Sequence, residues 1–154
     1  MALVRIRKEI EEDLTALERI DGEYQSIPDN VPKWMVLRTK ASLLHDFYTG
    51  LERIFSRVAS ELNGGLPNTE QWDRDLLRDM SLDLESIRPP VITKKLYKSL
   101  IPYLRFRHLF RNLYGFELDE EKMRDLDTHF PETRSRTTRE INNFLDWLHS
   151  TADL

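Results

Sequence analysis

A chain of 154 residues can bury a core within one domain without the help of disulfides or metals. It carries 23 basic against 27 acidic residues and no cysteine, which excludes thiol catalysis and cysteine-ligated zinc or iron–sulfur centres. Five glycines leave little room for phosphate-cradling loops. The opening MALVRIRKEIEEDL turns acidic too early for a signal peptide, and no apolar run reaches membrane-spanning length. The expectation is a soluble, cytoplasmic, helical protein with no membrane partner, a single helical domain over 1–154.

Leu3, Ile6, Ile10, Leu14, Leu17 and Ile20 recur at steps of three and four, the stripe of an amphipathic first helix. Glu9, Glu11, Glu12, Asp13 and Glu18 are assigned largely to its wet side, and Gly22 with the 26–30 cluster is read as the loop that ends it. From about Pro32 to Leu62, Leu37, Ala41, Leu44, Tyr48, Leu51, Phe55 and Val58 keep a 3.5-residue period, which predicts a long helix packed lengthwise in a bundle. Asn63-Gly64-Gly65 suits its C-terminal cap. A short helix is predicted over Glu70 to Leu84, with Asn68 or Thr69 as cap and Trp72, Leu76, Leu77 and Met80 inward. After Arg88-Pro89-Pro90, Thr93 caps a basic helix of roughly 94–114, kinked or restarted at Pro102 and stopped by Gly115. The last helical region opens at Leu118-Asp119-Glu120-Glu121, is broken or bent at Pro131, and ends with Ile141, Phe144, Leu145 and Leu148 inward. No strand pattern intervenes. The fold class is all-α, a bundle of four main helices with one or two short ones.

Charge is segregated along this chain. Arg88 to Tyr114 holds Arg88, Lys94, Lys95, Lys98, Arg105, Arg107 and Arg111 and not one acid, leaving 16 basic residues against 27 acidic elsewhere. Such a segment points to an anion, with nucleic acid or a nucleotide foremost. On a helical wheel Tyr103, Phe106, Leu109, Phe110 and Leu113 share the expected core side. Arg107, Arg111 and Tyr114 form a polar stripe at i, i+4, i+7, continued by His108, Asn112 and Arg105. Leu104 breaks that polar side, as a residue in an interface would. Two arginines one turn apart repel unless an anion or another helix's acids neutralise them. Both readings are open. Lys94, Lys95 and Lys98 alone would be a solvated face.

Cleaving RNA without a metal needs a group to take the 2′-hydroxyl proton, a donor for the leaving 5′-oxygen, and cations for the phosphorane. His108, set among arginines, has the chemistry for proton transfer. His45, His129 and His149 read as ordinary surface or core-edge residues. No cluster has metal-ligand spacing, and no Walker loop or dinucleotide fingerprint is present.

The segment FRHLFRNLYGFELD, with TEQWDRDLLRDM upstream in an all-helical frame, resembles the HepT-like branch of the HEPN superfamily from about residue 30 onward. The resemblance implies a homodimer and a metal-independent endoribonuclease toxin without a cofactor, acting on RNA such as tRNA. It also implies a nucleotidyltransferase antitoxin that attaches AMP to a motif tyrosine. The family signature is Arg, four residues, His, one residue, Tyr. Arg107 and Tyr114 match its ends, while Asn112 stands in the place of its His. Asparagine orients a phosphate or hydroxyl but shuttles no proton at neutral pH. Three explanations compete: His108 substitutes, the protein is a non-cleaving member that binds RNA, nucleotide or the nucleotidyltransferase, or the position was altered to disarm a toxin. The resemblance and the residues together make Arg107, His108 and Asn112 the candidate catalytic residues. Arg111, Arg105 and Lys98 become phosphate or RNA contacts, and Tyr114 the AMP acceptor.

Overall fold

The computed structural model describes residues 2–152. Five helices follow in order: α1 Ala2–Gln25, α2 Lys33–Leu62, α3 Trp72–Asp79, α4 Lys94–Phe110 and α5 Glu120–Ala152, with a single 3-10 turn at Gly115–Glu117 before α5. Among the described residues there is no strand, only an isolated bridge between Leu84 and Arg88. The four long helices pack as a bundle in which α2 touches all the others, and α3 lies against α2 and α4. No helix among the described residues is long and apolar enough to cross a membrane.

The periodic stripes form the core. Ile6, Ile10, Leu14 and Leu17 of α1 and Ala41, Leu44, Tyr48, Leu51, Phe55 and Val58 of α2 are all buried. An aromatic cluster locks α2, α4 and α5, with Phe47 edge-on to Phe130 at 5.1 Å and to Tyr103 at 5.9 Å. Asp13 departs from the expected wet side of α1. It is buried because Arg57 of α2 donates from Nε at 2.7 Å, while the same guanidinium reaches Glu9 at 2.9 Å.

Several boundaries shift from expectation. Helix α1 continues through Gly22, and the loop begins only after Gln25. The cap of α2 is as expected: Gly64 and Gly65 take φ of +84° and +135°, which favour glycine, and the Asn63 and Gly65 amides both donate to Ala59 O. Helix α3 is shorter than the predicted 70–84, and neither Asn68 nor Thr69 caps it; Thr69 Oγ1 instead donates to Asp75. Thr93 does cap α4, accepting from the Leu96 amide at 3.1 Å, and Glu140 of α5 accepts from the Thr93 amide at 2.6 Å. Pro102 sits inside α4 without a restart, and α5 runs unbroken past Pro131. Tertiary packing outweighs one missing backbone donor in each helix, and Tyr103 Oη ties α4 to α5 by donating to Leu126 O.

Arg88 proves to be a fold residue. Only 1% exposed, it donates to Asn63 Oδ1 and to the carbonyls of Asp79, Leu82 and Pro89. It ties the α3–α4 connection to the end of α2, and with Arg107 it is one of two buried among the seven basic residues.

Candidate functional site at the end of helix α4

The wheel drawn from sequence is rotated from the observed one. The buried residues of α4 are Leu96, Leu100, Tyr103, Leu104, Phe106 and Arg107, so Tyr103 and Phe106 lie inside as expected and Leu104 and Arg107 join them. Leu104 therefore belongs to the core, whereas Leu109, expected inside, is 44% exposed. Arg107 lies on the inward face one turn below Tyr103. It is 1% exposed and does not share a solvent stripe with Arg111.

A guanidinium tolerates such burial because carboxylates wait for it. Nη1 of Arg107 is 2.7 Å from Glu52 Oε1 on α2, and Nη2 is 3.7 Å from Asp73 Oδ2 on α3. The guanidinium carbon sits 5.1 Å from the centre of the Tyr48 ring. Burial first, and the Glu52 charge second, push the Tyr48 hydroxyl well above the usual tyrosine range. Asp73 is shared. Its Oδ1 accepts the Arg74 amide at 2.9 Å, and its Oδ2 lies 2.5 Å from Nε2 of His108. Arg107 thus anchors an Asp73–His108 pair from beneath. The His108 side chain is half exposed, so the pair opens to solvent at its imidazole end. An acidic partner that fixes one ring nitrogen of a half-exposed histidine leaves the other for a substrate proton.

The remaining candidates lie outside this buried network. Arg105, Arg111 and Lys98 are exposed, and none of them forms an ion pair among the described residues. Neutralisation by acids of other helices, left open by the sequence, holds for Arg107 and not for Arg105 or Arg111. Asn112 is exposed and spends one amide hydrogen on His108 O at 3.2 Å, closing the last turn of α4. The helix ends at Phe110 and not near 114, so Tyr114 leaves the predicted i, i+7 stripe. Tyr114 adopts an extended backbone, is 70% exposed, and stacks almost parallel on Phe116 with ring centres 5.2 Å apart. Of the other histidines, His45 packs at 5.1 Å on Phe110.

Two site residues were missed in the sequence, Asp73 and Glu52. Each had a signal. Asp73 precedes Leu76, Leu77 and Met80 at i+3, i+4 and i+7, and Glu52 falls four after Tyr48 and three before Phe55. A carboxylate in register with an apolar stripe is buried, and a buried carboxylate needs a partner.

Neither a curated protein nor a solved structure matches the chain. A family model described as HepT-like protein matches residues 39–148, a span that takes in most of α2, all of α3 and α4, and α5 to Leu148. The chain belongs to the HepT-like family of the HEPN superfamily.

Proposed function

We propose that this protein is a metal-independent endoribonuclease toxin, acting as a homodimer and restrained by a nucleotidyltransferase antitoxin that modifies Tyr114. The observation that carries the reading is the Asp73–His108 pair at 2.5 Å, open to solvent beside the unpaired cations Arg105 and Arg111. His108 takes the proton of an RNA 2′-hydroxyl, whose oxygen attacks phosphorus. The bond to the 5′-oxygen breaks, leaving a 2′,3′-cyclic phosphate, and the leaving oxygen is protonated by the same motif of the second copy. Arg111, with Arg105 and Lys98, neutralises the phosphate, which histidine alone cannot do. Arg107 acts through Asp73: it holds the carboxylate in place, and so fixes the ring of His108. The exposure of the Tyr114 ring supports its role as AMP acceptor. RNA such as tRNA, incubated with purified protein in EDTA across about pH 5 to 8, is expected to be cut by wild type and spared by His108→Ala. Intact RNA at every pH with wild type refutes the nuclease reading.

A second reading has its own support, since Arg107 has no outward face and the Asn112 amide is bonded to the helix end. Under it the module binds RNA, a nucleotide or the nucleotidyltransferase without cleaving. Asn112→His separates the two: cleavage by the variant alone identifies a disarmed nuclease, and cleavage by both identifies His108 as the working base.

A further inference from the structure

Next to His108, helices α3 and α4 leave a groove of about 290 Å3 between them. Its floor is apolar, made by Leu77 of α3 with Tyr97, Ile101 and Leu104 of α4. Tyr97, Ile101, Leu104 and His108 follow one another at steps of four, three and four, so the floor is a continuous stripe that ends on the histidine. Helix α3 has only 8 residues and covers this stripe in part, leaving Tyr97 and Ile101 half-buried. The rim is wholly basic: Arg74, Arg105 and His108, with no acid lining the cavity. Arg74 and Arg105 are exposed and form no ion pair among the described residues, in a chain whose formal charge is −4. Two unpaired guanidiniums on one apolar slot call for a ligand that is flat and apolar in the middle and anionic at one end. The volume is at the lower limit of small-molecule sites, about 300 Å3, and suits one nucleotide unit better than a docked helix.

We propose that this groove is a nucleotide subsite, holding a base against Tyr97 and Ile101 and its phosphate on Arg74 and Arg105. As a subsite for RNA it rests on the nuclease reading, and it would seat a nucleotide flanking the bond presented to His108. Binding of a free mononucleotide does not depend on cleavage. Base stacking on an aromatic ring with a guanidinium on the backbone is the common chemistry of single-stranded nucleic-acid grooves.

The test is calorimetric titration of the full chain at low salt with 5′-AMP, 5′-UMP, ribose 5-phosphate and inorganic phosphate. The mononucleotides are expected to bind at least tenfold more tightly than inorganic phosphate. Arg74→Ala and Arg105→Ala should each weaken them by about tenfold. Tyr97→Leu should weaken them by roughly five- to hundredfold, and Lys95→Ala should leave them unchanged. Equal affinity for 5′-AMP and phosphate would reduce the site to an ion contact and overturn the proposal. So would absent mononucleotide binding, or binding indifferent to Arg74 and Arg105. An Arg105→Glu variant that converts a dimer to a monomer, with no mononucleotide binding by wild type, would assign the groove to a second copy. Protein that binds 5′-AMP in this pattern yet never cuts RNA would sink only the nuclease reading. An active nuclease whose Arg74→Ala variant cuts RNA and binds mononucleotides like wild type would sink only the subsite.

Discussion

Arg107→Ala is expected to act on the fold before it acts on any reaction. The side chain is 1% exposed and its guanidinium sits 2.7 Å from Glu52 Oε1. Removing one member of a buried pair strands the other, at a cost of about 3–5 kcal/mol. For a chain of this size each kcal/mol lowers the melting temperature by about 2–4 °C, so the variant should melt roughly 6–20 °C below wild type. Urea unfolding of wild type, Arg107→Ala, Glu52→Gln and the double variant gives the coupling directly. The double variant should cost less than the sum of the two single variants, because it strands no charge. Replacing the pair by Glu52→Leu with Arg107→Met should recover much of the loss, because apolar side chains of similar volume carry no stranded charge. Loss of RNA cleavage by Arg107→Ala must therefore be read below its own melting temperature. A destabilisation under about 1 kcal/mol, or a coupling of zero, would refute the view of Arg107 as a buried anchor.

Arg88→Met should cost at least about 3 kcal/mol in urea, since it orphans the carbonyls of Asp79, Leu82 and Pro89 together with Asn63 Oδ1; Lys94→Ala or Lys95→Ala should stay within about 0.5 kcal/mol, and equal effects would contradict the division. Thr93→Ala should remove about 1 kcal/mol by uncapping α4, visible as an earlier urea midpoint with unchanged slope. Burial, with Asp127 beside Tyr24 and Glu52 beside Tyr48, holds Tyr24, Tyr48 and Tyr103 above the usual value of 10.0. Their folded forms keep the proton that the unfolded chain gives up, so the stability they add is whole below pH 10 and declines above it, by about 1.4 kcal/mol per pH unit for the deeply buried Tyr48. Unfolding measured from pH 9 to 12 should show Tyr48→Phe losing stability less steeply than wild type by that amount; parallel curves would rule the burial effect out.

The frame of the bundle was readable because helix formation here follows apolar periodicity. Ile6, Ile10, Leu14 and Leu17, and the α2 stripe from Ala41 to Val58, are buried where their spacing put them. What failed were local stop signals. Gly22 and Pro131 disfavour a helix by roughly 1 and 3 kcal/mol, yet each lies inside one whose neighbours are packed on other helices. Breakers decide an end only where little is buried around them, as at Gly64 and Gly65.

The site was harder because charge counted along the chain does not say which way a charge points. Arg88 and Arg107 belong to the same basic run as Lys94, Lys95, Lys98, Arg105 and Arg111, but the first two face inward and the rest face water. The deciding partners, Asn63 for Arg88 and Glu52 and Asp73 for Arg107, are distant in sequence. Leu104 was the visible clue. An apolar residue three positions before Arg107 fixes the same helical face for both, so treating Leu104 as the exception left Arg107 on the wet side, although Tyr103 and Phe106 are buried as expected. With that face turned inward, the basic segment separates into an anchor, Arg107, and an outward rim of Arg105, His108 and Arg111. Asp73 joins the two, touching the buried guanidinium with the same oxygen that holds the imidazole. Through that oxygen the stability of the core sets the orientation of the one side chain best placed to move a proton.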